Sequence, residues 1–488
     1  MVFLKSKVWG GLDLPWNKDA PHSVFIGSPG TGKTLLLRML MRSVLFDAKG
    51  KLAARALVHD PKREMYPVLR GMGVSDDDIR IVHPLEARAT PWNIAADFRT
   101  REQALELAHA LIRDSESRGQ NEFFYNGARS VVQGVITVLQ EKAPCRWTLN
   151  DLYEICAQED MVRHVLSQSP NLLARLKRYL DSSKGGDSVL DTIESELSRL
   201  MVVAPANARQ LAARGWLGGG GEGSLRHWFD NTKAGVLLLS AHPEHERAVE
   251  PLNNAAIAAL ARYTLGEPDE PEAHTFFFID EARTERPLPR LDTLIRQGRS
   301  KHAHVTTVFH TYEGMRGVYG DAADEIMGAS LNVCVTATNS PTTKRWVMSL
   351  GGVGGGRNVH AAHTTIDSWF NQLGNPSPSY GIDGVYKIPG RSAWLGNSPR
   401  RFVKKRLFMA DKHAKDFEHA DSAQSAALAV SRSDWGDRLG MAPPTPRASS
   451  SRKKGKTKKG SSQKSPDPAV TESPPPQPSE RSRRFRIL

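Results

Sequence analysis

The strongest constraint on this chain is the segment Gly27-Ser28-Pro29-Gly30-Thr31-Gly32-Lys33-Thr34, which has the form G-x-x-x-x-G-K-[ST]. Its glycines let the backbone curl, so that successive N–H groups and the N-terminus of a following helix point at a polyanion. Lys33 adds positive charge where the β and γ phosphates of a nucleotide would lie, and the Thr34 hydroxyl suits a Mg²⁺ ion. The surroundings agree. Residues 22–26 are a short apolar run and residues 34–45 continue with helix formers and an apolar stripe, which reads as strand, loop, helix. The segment therefore predicts a cradle for ATP and Mg²⁺ made by residues 27–34.

A second apolar run, Phe276-Phe277-Phe278-Ile279, ends in Asp280-Glu281, two carboxylates where a parallel sheet meets its ligand. Taken with the cradle, Asp280 is expected at the Mg²⁺ ion together with Thr34, and Glu281 at an attacking water, with Lys33 at the phosphates. Further strands are expected at residues 56–59, 81–82, 236–239, 305–309 and 333–336, with helical patterns between them, as in residues 101–112. The fold class is α/β with a central, mostly parallel sheet. Arg296-Gln297-Gly298-Arg299 follows one helix after the carboxylates and could present a guanidinium to the nucleotide of a neighbouring subunit; a solvated basic helix end explains it equally well. His310 ends the next strand, where a γ-phosphate sensor or a satisfied structural histidine would both fit.

Between residues 114 and 230 the strand signal disappears. Phe124, Ala128, Val131, Val132, Val135 and Leu139 recur at helical spacing, and further helical stretches cover 149–158, 161–166, 172–180 and 188–201. This predicts an all-α domain inserted in the α/β domain and closed by the flexible run Gly218-Gly219-Gly220-Gly221; helices packed on the sheet are the alternative. The expected organisation is a first α/β part at residues 1–113, the insertion at 114–229, a second α/β part at 230–400, a basic linker at 401–442 and a disordered tail at 443–488. A length of 488 residues is too much for one ordinary core and agrees with more than one packed domain.

Charge has to be divided along the chain before it says anything. Of the formal net charge of +13, nine units lie in residues 441–488, where 12 Lys and Arg face 3 acidic residues; residues 1–440 carry only +4. The body is nearly balanced, whereas the tail, rich in Pro, Ser, Lys and Arg, has the composition of a disordered segment able to bind phosphates with strong salt dependence. The longest apolar runs fall far short of the roughly 20 residues that span a bilayer, and no secretory h-region opens the chain, so no membrane span and a cytoplasmic location are expected. Cys145, Cys156 and Cys334 form no CxxC pair and are expected as small buried hydrophobes rather than zinc ligands or disulfides.

Beyond the cradle, Asp60-Pro61-Lys62, Pro91-Trp92-Asn93-Ile94, the helix-opening residues 123–129, Ile279-Asp280-Glu281, Leu288-Pro289, Leu294, Gly298-Arg299-Ser300, Tyr319-Gly320 and Leu350-Gly351 occur in a characteristic order. In that order and spacing, residues 60–352 resemble the TraD/TraG-type coupling proteins of type IV secretion and conjugation, within the FtsK/HerA division of P-loop motors. The resemblance implies a RecA-like motor domain, a hexameric ring with ATP between subunits, a helical domain engaging DNA or its cargo complex, and DNA in a central channel. It also implies secretion-channel or relaxase partners, and Arg299 as an arginine finger beside Lys33, Thr34, Asp280 and Glu281 in the roles given above. Three features depart from it. Family members usually begin with transmembrane helices, so this chain is expected to be a soluble variant, one recruited to the inner face of the membrane by a partner that supplies the anchor, or a cytosolic relative with another task. His310-Thr311 stands where Gln-Ser is common, and the tail is basic rather than acidic. A cytosolic FtsK/HerA-type DNA pump and a nucleotide-switched scaffold that binds but does not move DNA are the competing readings.

Overall fold

The apolar runs described above lack an alternating polar face, so each needs cover on both sides. A computed structural model describes residues 6–9, 12–15, 21–114, 120–181, 185–219, 221–241, 244–281, 287–349, 368, 370–374, 376, 381–391, 393–399, 410–420 and 435–441. Two short strands, β1 (Ser6–Trp9) and β2 (Leu12–Pro15), pair with each other. The apolar runs become β3 (Ser23–Ile26), β4 (Arg55–Asp60), β5 (Ile79–Ile81), β6 (Gly235–Ser240), β7 (Thr275–Ile279), β8 (Ala303–Phe309) and β9 (Asn332–Val335). They are joined by β10 (Gly381–Lys387) and β11 (Trp394–Pro399) in one nine-stranded sheet of order β11-β10-β9-β3-β8-β7-β4-β6-β5. The seven strands from β9 to β5 are parallel, and β10 and β11 add antiparallel at one edge.

Every residue of β7 is buried, and its pleat divides it between two cores: Phe277 and Ile279 face one, Phe276 and Phe278 the other. Each such phenylalanine contributes about 1.5–3 kcal/mol relative to an exposed one. On the second face lie the helices Lys33–Leu45 and Met65–Met72. The first face is covered by Arg101–Leu111, Tyr312–Tyr319 and the alanine-rich Glu246–Leu265, which is buried almost all round.

All described elements between β5 and β6 are helical, the longest being Gln120–Lys142. Thr100 and Thr148 start two of these helices with reciprocal capping boxes, through Gln103 and Asp151. The apolar stripe of Gln120–Lys142, with Val131, Val135 and Leu139 fully buried, belongs to the same continuous core as Val24 and Leu57 of the sheet. Residues Met1–Pro444 form one compact unit, and the tail expected to be disordered, 443–488, lies outside the described residues. Within residues 401–442, two stretches pack on the body. Ala87 N–H donates to Glu418 O at 2.8 Å and Ala420 N–H to Leu85 O at 2.9 Å. The short helix Trp435–Leu439 buries Trp435 and Leu439 and sends Arg438 to Asp151 of the insertion. Cys156 and Cys334 are buried free thiols and Cys145 is a half-buried one.

Candidate functional site

The curled loop of residues 27–32 leaves the C-terminal end of β3 and feeds the helix Lys33–Leu45. Glycine is required at both ends of it. A Cβ on Gly27 would stand 1.9 Å from Thr336 Oγ1, and Gly32, the helix N-cap, has φ of +90°. Thr31 braces the curl: its hydroxyl lies 2.6 Å from Thr336 Oγ1 and donates to Ser28 O at 2.7 Å. Pro29 and Gly30 form the exposed tip, while Lys33 is buried and its ammonium donates to Gly27 O at 2.6 Å and Ser28 O at 2.8 Å. Burial lowers the Lys33 pKa to about 8, against the opposing pull of Asp280.

β8 separates β3 from β7, so the two motif strands are not neighbours, yet the helix start reaches across. Thr34 Oγ1 donates to Asp280 Oδ2 at 3.1 Å. Asp280 is 3 % exposed, and burial raises its pKa. The imidazole of the buried His59 on β4 lies 3.3 Å from the Asp280 carbonyl oxygen and fixes the strand end from the other side. Glu281 follows with φ of +52°, a left-handed conformation that a glutamate holds only when its surroundings impose it. That turn directs its carboxylate into the cleft, in an ion pair with Lys62 and with His310 Nε2 3.7 Å from the same oxygen. Burial, then the nearby Lys33 charge, lowers the His310 pKa. Lys33, Thr34, Lys62, Asp280, Glu281 and His310 thus line one cleft of about 410 Å³.

A hydroxyl and a buried carboxylate in contact are the donor set that a Mg²⁺ ion uses when phosphates and water supply its remaining ligands, so Thr34 and Asp280 fit that ion. Among the described residues no cluster of three or more His, Cys, Asp or Glu could hold a metal by itself. Arg296 and Arg299 are not brought to this cleft. They lie ahead of β8, at the opposite end of that strand from His310, and both are exposed; Arg296 pairs with Asp292 at 2.8 Å and Glu325 at 3.2 Å. Thr311, beside His310, is a helix N-cap, accepting from Gly314 N–H at 3.0 Å.

A second, basic cleft lies among the helices Arg101–Leu111, Gln120–Lys142 and Pro170–Leu180. Two adjoining hollows of about 310 and 270 Å³ share Arg101, Thr137 and Arg175, with Arg99 at one side and Arg178 at the other. All four arginines are exposed and none has an ion-pair partner among the described residues, while Glu141 is the one carboxylate in the lining. Sequence reasoning missed this cleft, because Arg99 and Arg101 sit around the start of one helix and Arg175 and Arg178 on another far along the chain. It also gave no role to Lys62, whose meeting with Glu281 depends on strand register.

Residues 6–366 match the family model described as the type IV secretion-system coupling protein DNA-binding domain. The chain belongs to this family. It is 20 % identical over 326 residues to the coupling protein TraD of Escherichia coli (strain K12), across 64 % of this chain and 41 % of that protein, so it spans less than half the length of that relative. Among solved structures it is similar to the plasmid coupling protein TrwB in complex with ADP and Mg²⁺, with a TM-score of 0.66 and 19 % identity, covering 85 % of this chain and 92 % of that one. The unbound bacterial conjugative coupling protein TrwBdeltaN70 gives a TM-score of 0.64 at 18 % identity, covering 85 % and 91 %. At these identities the structural likeness concerns the fold, a RecA-like P-loop sheet with a helical region. Among the described residues no helix is long and apolar enough to cross a membrane.

Proposed function

We propose that this chain is an ATP-hydrolysing coupling protein that moves DNA toward a type IV secretion or conjugative transfer apparatus. The observation that carries this reading is the 3.1 Å contact between the Thr34 hydroxyl and Asp280, with Glu281 in the same cleft as Lys33. That arrangement supports hydrolysis as well as binding. The N–H groups of residues 27–34 cradle the phosphates and Lys33 exchanges its two loop carbonyls for phosphate oxygens. A Mg²⁺ ion held by Thr34 and Asp280 would neutralise charge on the transferred phosphoryl group. Glu281 orients the attacking water and accepts its proton. Arg299, or Arg296 beside it, would reach the nucleotide of a neighbouring copy in a ring, the hexamer of the family resemblance.

The family description and the names of the relatives support DNA as the cargo, and the arginine cleft of the helical region supplies a surface suited to a phosphate backbone. Recruitment to the inner membrane face through a channel or relaxase partner completes the reading. A nucleotide-switched scaffold has no need of a carboxylate placed as Glu281 is. The test is ATP hydrolysis with and without single- and double-stranded DNA, beside Lys33→Ala and Glu281→Gln. Stimulation by DNA that both variants abolish is the expected result. Hydrolysis indifferent to DNA would refute the motor and favour the switch.

A further inference from the structure

Lys62 touches Glu281, the carboxylate that would activate the attacking water, and its mount is rigid. It follows β4 in Asp60-Pro61-Lys62, where Asp60, 1 % exposed, accepts the N–H groups of Met65 at 2.7 Å and Glu64 at 3.2 Å. Pro61 fixes its own φ, and Arg63, at φ of +59°, turns its N–H back to Asp60 O at 3.3 Å. β4 pairs in parallel with β7, with His59 opposite Ile279. Lys62 and Glu281 therefore leave neighbouring strands three and two residues beyond a registered pair, and the sheet itself brings them together over its C-terminal edge.

The strength of this ion pair is what makes it informative. The Lys62 side chain is 46 % exposed and that of Glu281 30 %, so water screens the attraction. Such a pair shifts an equilibrium by about fivefold at most. A charge-assisted bond from an ammonium to a phosphate oxygen is worth about tenfold or more. A phosphate arriving in the cleft therefore outcompetes Glu281 for Lys62. Lys33 makes this distinction less sharply, because it reaches the β phosphate as well as the γ and so meets both nucleotides.

We propose that Lys62 is the residue by which this site tells a nucleoside triphosphate from a diphosphate. With the γ position empty, its ammonium holds the Glu281 carboxylate. When a terminal phosphate enters, the ammonium moves to a phosphate oxygen and frees Glu281 to accept a hydrogen bond from water. The water oxygen then bonds to phosphorus, the bond from phosphorus to the β–γ bridging oxygen breaks, and the water proton passes to Glu281, giving diphosphate and inorganic phosphate. The inference rests on the nucleotide-hydrolysing reading of the cleft.

The experiment measures equilibrium binding of fluorescent ADP and of a fluorescent non-hydrolysable ATP analogue to the full chain with Mg²⁺. It compares wild type, Lys62→Ala, Lys62→Arg, Glu281→Gln and the Lys62→Ala/Glu281→Gln double variant. Lys62→Ala should weaken the analogue about tenfold and ADP less than twofold, and Lys62→Arg should recover part of the loss. Glu281→Gln, which releases Lys62, should tighten the analogue two- to fivefold, and the double variant should lose that gain. The Lys62 side chain is about half-exposed and its ion pair is weak, so the thermal melt of its variants should match wild type. Equal weakening of both nucleotides, or none of either, overturns the sensor role while leaving the nucleotide site standing. Failure of wild type to bind either nucleotide removes the hydrolytic reading and the sensor with it.

Discussion

Replacing Arg438 by methionine should destabilise the chain by about 3 kcal/mol. Asp151 is completely buried, and Arg438 grips it with both terminal nitrogens, at 2.5 and 2.7 Å. Its Oδ2 also accepts from Thr148 N–H at 2.7 Å and the Thr148 hydroxyl at 2.8 Å, while Arg438 donates to Arg146 O at 3.1 Å. Removing one partner of a buried pair costs about 3–5 kcal/mol, because the other charge is left without water or counter-charge. The two Thr148 donors stay in place and methionine fills most of the stem volume, which puts the loss at the lower end. Urea unfolding followed by tryptophan fluorescence reads it, since Trp147 and Trp435 flank the pair in sequence. Asp151→Asn in the Arg438→Met background should recover most of the loss, as an amide still accepts from Thr148 and carries no charge. An Arg438→Met variant within about 0.5 kcal/mol of wild type would show that the helix Trp435–Leu439 does not dock on the insertion.

Two further outcomes follow from burial and charge. His22 is 2 % exposed, its Nδ1 accepts from Val305 N–H at 3.1 Å, and burial lowers its pKa to about 4 against a backbone contact with Ile295 that opposes the shift. The folded state thus prefers neutral His22, and its contribution, about 3 kcal/mol, is fully present above pH ~6.5 and lost as pH falls toward ~4. Urea midpoints measured across that window should fall and should fall less in His22→Gln; a flat profile would contradict it. In the basic cleft, Arg101→Glu and Arg175→Glu should each weaken DNA binding and reduce the salt slope of log Kd by about 1; an unchanged slope in a salt titration would mean that the cleft does not meet phosphates.

Legibility in the sequence followed the range of the interaction. Residues 27–34 and Phe276-Phe277-Phe278-Ile279-Asp280-Glu281 could be read because each is a local pattern whose chemistry needs those residue types in that order. β7 begins and ends where expected, since five consecutive apolar or β-favouring residues leave no alternative pleat. β10 was not read, because Gly381 and Gly384 interrupt it and its stability comes from pairing with β9 through Val385, Tyr386 and Lys387. β11 in turn depends on β10. Lys62 could be quoted but not placed, and Asp151 gave no sign of its partner 287 positions away. The four cleft arginines look like ordinary solvated surface residues until three helices pack.

His310 and Arg299 flank opposite ends of one strand, β8. β8 has seven residues, so its ends are separated by roughly 20 Å at the usual rise per residue. His310 at one end is 3.7 Å from Glu281, whereas Arg299 precedes the other end. No side-chain rotation carries a guanidinium back over that distance to its own cleft. If Arg299 serves hydrolysis, it serves the cleft of a neighbouring copy, and each copy lacks its own finger. Under the proposed function, ring assembly is then part of the active site rather than a consequence of it, because the sheet that gathers Lys33, Thr34, Asp280 and Glu281 at one edge holds the remaining cation at the other.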